Sequence, residues 1–118
     1  GNVKIYRDWG YTPKYVEAMW LMLQQEFPKD YVICSGEAHS LEEFVQKVFE
    51  KLGLTLEDHV VLDKALYRPV ELEKIYGDNT EAKRLLGWNY DMSFDRLIET
   101  LIKDEMHYIE YESKLNQI

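Results

Sequence analysis

Helix-start signals recur along this 118-residue chain, and they constrain its fold more than any other feature. Ser, Thr and Asn side chains cap the free N–H groups at a helix start, and Pro is tolerated in the first helical turn. The signals are Thr12-Pro13, Ser40 with Glu43 three residues later, Asn79 or Thr80, and Ser93. Ser40 and Glu43 form a capping-box pattern. Gly53 and Gly87-Trp88 are stop signals. These signals predict four helices, over about 13–25, 41–52, 81–86 and 94–112.

Hydrophobic spacing indicates which helix faces turn inward and where strands lie. We expect the inward residues to be Val16, Met19, Trp20 and Leu23 on the first helix, and Phe94, Leu97, Ile98, Leu101 and Ile102 on the last. Segments 3–6, 31–34 and 59–63 predict short strands, the second of them buried, and residues 113–118 are expected to fray. The predicted fold class is α/β: one small, helix-dominated domain over residues 1–118, with about four helices and a few short strands.

Composition excludes several function classes. Fourteen Lys and Arg stand against 22 Asp and Glu, so the formal net charge of −8 argues against a nucleic-acid partner. No apolar run approaches the roughly 20 residues of a membrane span, so no membrane partner is expected. The single Cys34 allows no internal disulfide and no Cys-based zinc site, and its apolar surroundings favour a core residue over a nucleophile. A cytoplasmic location is the expectation.

Two weak polar pairs do not amount to a metal site. His39 and Glu43 are four residues apart, and Asp104 and His107 are three apart. A metal needs three or four ligands, which these pairs do not supply, so surface or capping contacts are the favoured interpretation and no metal is expected.

Two arginines in predicted turns suggest a different chemistry. Arg7 lies in a turn beside Asp8, and Arg68 lies in a loop whose backbone Pro69 restricts. Guanidinium groups held by rigid neighbours bind phosphate in a bidentate manner, and an ionised carboxylate such as Glu71 can accept both hydrogens of a ribose diol. The alternative is that Arg7 pairs with Asp8 or another neighbouring acid at the surface.

Several separate blocks resemble the GDP-mannose 4,6-dehydratases, which are extended short-chain dehydrogenase/reductases. The likeness covers roughly residues 1–112. The blocks are Arg7-Asp8-Trp9-Gly10 with Tyr15-Val16-Glu17-Ala18-Met19-Trp20, then Gly36-Glu37-Ala38-His39-Ser40, Tyr67-Arg68-Pro69-Val70-Glu71, Gly77-Asp78-Asn79-Thr80, Leu86-Gly87-Trp88 and Ser93-Phe94-Asp95-Arg96-Leu97.

The resemblance implies a division of labour. In that family an N-terminal Rossmann half binds NADP and carries the catalytic Thr, Glu, Tyr and Lys, and the enzyme converts GDP-mannose to GDP-4-keto-6-deoxymannose. This chain has no glycine-rich phosphate loop and corresponds only to the C-terminal, substrate-binding part. It is therefore expected to hold no catalytic residue and no cofactor, and to be inactive alone. The resemblance implies that Arg7 and Arg68 grip the diphosphate of a GDP-sugar and that Glu71 lies near the ribose hydroxyls.

Other interpretations remain open at this stage. The parent protein could instead be a sibling reductase or epimerase acting on a GDP-sugar or another nucleotide-sugar, because the absent residues decide that chemistry. A non-enzymatic interaction module is the third interpretation. In every case the apolar faces that would pack on the absent half predict self-association, so a homo-oligomer is expected.

Overall fold

The computed structural model describes residues 1–116, which form a helix-dominated fold with one small sheet. The helices are α1 (Thr12–Leu23), α2 (Leu41–Leu52), α3 (Thr80–Leu86) and α4 (Phe94–Leu115). Strand β1 (Tyr6–Asp8) pairs antiparallel with β2 (Ala38–Ser40), with Arg7 opposite His39. Short 3₁₀ turns lie at Leu56–Asp58 and Lys64–Leu66. The predicted fold class, with four helices and few strands, is confirmed for the described residues.

Two helix starts and two helix ends agree with the sequence signals. The Ser40 hydroxyl accepts a hydrogen bond from the Glu43 backbone N–H, and the Ser93 hydroxyl accepts one from Arg96. Gly53 and Gly87 end α2 and α3 in the left-handed conformation, with φ of 67° and 64°. These interactions are local, so the residues nearest in sequence decide them.

The two remaining starts work differently from the prediction. Tyr11, not Thr12, precedes the first turn of α1, and no side chain caps it, so Pro13 is the only start signal that acts there. Asn79 precedes α3, but its side chain accepts no hydrogen bond from the helix, and its amide donates to the backbone carbonyls of Cys34 and Ser35. The carboxylate of Asp78 accepts from the Thr80 backbone N–H instead.

The strand predictions are wrong in position. Residues 31–34 and 59–63 form no strand, and the first strand begins at Tyr6 rather than at residue 3. Cys34 is nevertheless buried, as expected. Apolar runs become strands only where another backbone segment pairs with them, and neither run has such a partner among residues 1–116.

The predicted inward face of α1 is also wrong. Val16, Met19, Trp20 and Leu23 are all exposed. The helix instead packs through Tyr15, Ala18 and Met22. Because α1 is apolar on both sides, hydrophobic spacing does not determine which side faces the core.

The core consists of two clusters. Trp88, which is 1% exposed, packs with Ala18, Ala82 and Leu86 and joins α1 to α3. The second cluster joins α2 to α4 and consists of Phe94, Leu97 and Ile98, with Phe44, Val48 and Ile102 packed against it. The prediction for α4 therefore holds except at Leu101, which is exposed.

The far end of α4 continues beyond its predicted stop. The helix runs to Leu115, so the fraying expected from residue 113 does not begin there, and residues 117–118 lie outside the described residues. Two ion pairs, Lys47–Asp95 and Lys51–Glu99, each at 2.7 Å, link α2 to α4. The hydrogen bond from Lys47 lowers the pKa of Asp95. Across residues 1–116, no helix is both long enough and apolar enough to cross a bilayer.

Candidate functional site

Strand β1 places Arg7 in a network of short hydrogen bonds. Arg7 Nη1 donates to the backbone carbonyls of Tyr6 and Leu72, at 2.7 and 2.8 Å. Arg7 Nη2 donates to Glu71 Oε1 at 2.6 Å. A guanidinium has five N–H donors, so among the described residues two donors of Arg7 are left for a further acceptor.

The segment that follows Glu71 lies along β1 like a third strand. The Tyr6 N–H donates to the Glu73 carbonyl at 2.7 Å, and the Ile75 N–H donates to the Tyr6 carbonyl at 3.1 Å. These bonds form a parallel bridge between Tyr6 and Lys74. A loop distant in sequence is therefore fixed beside Arg7 by backbone pairing.

All three predicted site residues meet at the Glu71 carboxylate. Arg7 Nη2 is 2.6 Å from Glu71 Oε1, and Arg68 Nε is 3.9 Å from Glu71 Oε2. The side chains of Arg7 and Glu71 are 24% and 19% exposed, whereas that of Arg68 is 77% exposed. The site thus combines one held guanidinium with one that projects into solvent.

The alternative interpretation of Arg7, an ion pair with a neighbouring acid, identifies a real contact. The acid is Glu71, 64 residues away, and not Asp8. Side chains alternate along a strand, so Asp8 projects from the side opposite Arg7. There its carboxylate accepts hydrogen bonds from the backbone N–H groups of Ser35, Gly36 and Gly77. Sequence reasoning missed this role, because backbone N–H partners leave no pattern in the sequence.

Tyr15 lies close to Asp8 on this side of the sheet. Burial, together with the negative charge of Asp8, raises the pKa of Tyr15 to about 12, so its hydroxyl stays protonated near neutral pH. A Cβ atom at Gly10 would collide with the Tyr15 ring, which explains why this turn uses Gly.

The His39–Glu43 pair forms structural contacts. His39 Nδ1 lies 3.1 Å from Glu43 Oε2, and the imidazole stacks on the Phe94 ring at 3.8 Å. His39 and Phe94 line an open cavity of about 270 Å³, together with Trp9. Burial raises the pKa of the Cys34 thiol, which disfavours the reactive thiolate. Within residues 1–116, no three His, Cys, Asp or Glu side chains are grouped to hold a metal ion.

The fold occurs as one part of larger nucleotide-sugar enzymes. A UDP-glucose 4-epimerase from Thermotoga maritima, solved with UDP-glucose, superposes with a TM-score of 0.79 at 21% identity. The match covers 92% of this chain and 34% of the epimerase. At that identity the likeness establishes the fold alone.

Sequence comparison defines the family to which the chain belongs. The sequence model for GDP-mannose 4,6 dehydratase matches residues 1–101. GDP-mannose 4,6 dehydratase 1 of Arabidopsis thaliana is 42% identical over 98% of this chain and 32% of its own length. The GDP-mannose 4,6 dehydratase of Dictyostelium discoideum is 38% identical over 98% of this chain and 37% of its own length. The chain belongs to the GDP-mannose 4,6 dehydratase family, and it spans about a third of the length of these relatives.

Proposed function

We propose that this chain is the C-terminal, nucleotide-sugar-binding portion of a GDP-mannose 4,6-dehydratase. In the proposal, Arg7 and Arg68 bind the diphosphate of the GDP-sugar, and Glu71 accepts hydrogen bonds from the ribose hydroxyls. The observation that carries the proposal is the meeting of both guanidinium groups at one carboxylate, from two segments more than 60 residues apart in sequence.

The local charge and hydrogen-bond donors support an anionic ligand. Two arginines and one glutamate leave one net positive charge at this point of a chain whose total charge is −8. Arg7 has two unused donors among the described residues, and the exposed Arg68 side chain can turn towards a ligand. Charge-assisted, bidentate contacts of this kind are the strong ones in phosphate recognition.

The same geometry supports a double role for Glu71. Its Oε1 atom holds Arg7, while each carboxylate oxygen can accept more than one hydrogen bond. A ribose diol could therefore bind to Glu71 without displacing Arg7. A charge pair that orients Arg7 before the ligand arrives reduces the ordering cost of binding.

We infer that a dinucleotide cofactor binds outside the described residues. The three glycines with positive φ, namely Gly36, Gly53 and Gly87, are single and separated, and Gly53 and Gly87 stand at helix ends rather than helix starts. In the proposal, NADP therefore binds to the remaining two thirds of a protein as long as these relatives. In such a protein this chain would anchor the substrate, so that binding energy remote from the sugar serves the chemical step.

A ligand titration tests the proposal. We expect GDP-mannose to shift the NMR signals of the Arg7 and Arg68 side chains, with an affinity on the order of millimolar because only part of the full site is present. Glu71→Gln should weaken GDP-mannose binding, since it removes a charged acceptor for the ribose. The same variant should weaken inorganic pyrophosphate binding less than GDP-mannose binding, because pyrophosphate has no ribose and the Gln amide oxygen can still accept a hydrogen bond from Arg7.

Two outcomes would contradict the proposal. The absence of any shift at the two arginines with concentrated GDP-mannose, in a folded sample, would argue against a nucleotide-sugar site. Equal weakening of GDP-mannose and pyrophosphate by Glu71→Gln would remove the ribose role and leave Glu71 as a support for Arg7 only.

The exposed face of α1 leads to a second prediction, on assembly. An apolar stripe at helical spacing runs along α1 and consists of Val16, Met19, Trp20 and Leu23. We propose that, in a protein as long as these relatives, the rest of the chain covers this stripe. In the 118-residue chain alone, this stripe should instead drive self-association. Sedimentation velocity should show a concentration-dependent increase in mass that Trp20→Arg reduces. Val61→Arg adds the same charge at an exposed apolar residue outside the stripe and should leave association unchanged.

A further inference from the structure

We propose that Asp8 is a positioning residue for the two arginines: it binds the Gly77 N–H and also the N–H groups of Ser35 and Gly36, which follow the residue packed against Gly77, and so keeps the 71–77 segment in register beside β1. The inference rests on the proposed function, because it concerns the phosphate-binding geometry of Arg7 and Arg68. Asp8 itself contacts neither arginine side chain among the described contacts.

The Asp8 carboxylate joins three separate segments. Oδ1 accepts from the Ser35 N–H at 2.8 Å, and Oδ2 accepts from Gly36 at 2.9 Å and from Gly77 at 3.4 Å. Ser35 and Gly36 follow the buried Cys34, and Gly77 ends the segment that begins at Glu71. One side chain therefore ties β1 to both neighbouring loops.

Close packing leaves these loops little freedom to adjust. A Cβ atom at Gly77 would lie 2.6 Å from Cys34 Sγ, so the two segments touch at a point where only Gly fits. Gly36 has a φ of 87°, which other residues rarely adopt. The buried Asn79 side chain holds the same loop from the far side, through the carbonyls of Cys34 and Ser35 at 2.9 and 3.2 Å.

Asp8 and Arg7 bind opposite ends of the 71–77 segment, which pairs with β1 between them. Between Gly77 and Glu71, the segment is bonded to Tyr6 through Glu73 and Ile75. At its other end, Arg7 Nη1 holds the Leu72 carbonyl and Arg7 Nη2 holds Glu71. If the Asp8 end is released, the segment can shift along β1, which changes the separation of Arg7 from Glu71 and Arg68.

The direction in which a substitution of Asp8 changes anion affinity distinguishes a positioning role from a purely electrostatic one. Asp8 is a negative charge near a candidate anion site, so Coulomb's law alone predicts that its neutralisation strengthens anion binding. Positioning predicts the opposite, because the arginines lose their relative placement. Asp8→Glu sharpens the comparison: it keeps the charge but lengthens the side chain, so electrostatics predicts no change and positioning predicts weaker binding.

The test uses inorganic pyrophosphate, the 118-residue chain and two readouts. We expect Asp8→Asn and Asp8→Glu each to weaken pyrophosphate binding roughly tenfold, in line with lost hydrogen bonds to a charged group. Amide hydrogen exchange at Ser35, Gly36, Gly77 and Ile75 should become faster. Asp95→Asn is the control, since it removes the same charge from the surface pair with Lys47 on α4 and should change neither readout.

The outcomes separate this inference from the proposed function. If the wild-type chain binds pyrophosphate and both Asp8 variants bind it equally well or better, the positioning role is wrong while the site stands. If the wild-type chain does not bind, the proposed function fails, and exchange at Ile75 still decides whether Asp8 holds the segment. Unchanged exchange at Ile75 in a folded Asp8 variant overturns the inference in either case.

Discussion

Replacing Arg7 with Met is expected to reduce GDP-mannose binding more than any other single change at the site. Arg7 is the arginine held in place before the ligand arrives, by Tyr6, Leu72 and Glu71. Hydrogen bonds to charged groups contribute about 1.5–3 kcal/mol each, so we expect a loss of roughly 10-fold to 100-fold in affinity. At the ligand concentration that half-saturates the wild-type chain, less than about a tenth of the variant should be bound.

The matched control for this prediction is Arg84→Met. Arg84 has the same charge, but its side chain is exposed and its described ion pair, with Glu81 at 3.4 Å, lies on α3. Binding should be unchanged within error. Arg7→Lys should give an intermediate affinity, since lysine keeps the charge but lacks the planar fork of donors. If Arg7→Met and Arg84→Met weaken binding equally, the effect is one of total charge, and Arg7 has no specific contact with the diphosphate.

Replacing Trp88 with Ala is expected to cause the largest loss of stability. Trp88 is fully buried between α1 and α3, and its indole N–H donates to the Lys14 carbonyl at 2.9 Å. Removing a buried aromatic side chain costs about 3–5 kcal/mol, which is a large part of the roughly 5–15 kcal/mol that stabilises a whole domain. Urea unfolding followed by circular dichroism should show a greatly lowered midpoint, or a chain already unfolded without denaturant.

Trp20→Ala provides the matched comparison. The chemical change is identical, but Trp20 is 60% exposed on the outer side of α1. At a protein concentration low enough to prevent association, its midpoint should change little, by about 0.5 kcal/mol or less in unfolding free energy. Equal destabilisation by the two substitutions would mean that α1 packs through its other face, with Trp20 in the core.

Each of the three predicted site residues has a chemical signal of its own in the sequence. Arg68 beside Pro69 and Arg7 beside Asp8 are recognisable in the sequence, and the structure brings both to Glu71. That all three bind a nucleotide-sugar stays a prediction. Asp8 was missed because its partners are backbone N–H groups, which every non-proline residue has and which no sequence pattern reveals.

The strand predictions failed for a reason that applies to any short apolar run. Residues 31–34 and 59–63 have strand-like composition, but a strand also needs a partner segment within hydrogen-bonding distance. The segment that does pair with β1 has two charged residues in succession, Glu73 and Lys74, before the apolar Ile75, so it lacks the strict alternation that predicts a strand.

The sequence by itself determined the features that depend on neighbours a few residues apart: the caps at Ser40 and Ser93, the stops at Gly53 and Gly87, and the positions of the four helices to within a few residues. Only the tertiary structure decided which side of α1 is buried and which acid holds Arg7. Burial and ion pairing depend on distance in space, and no local pattern predicts a contact between Arg7 and Glu71, which are 64 positions apart in sequence.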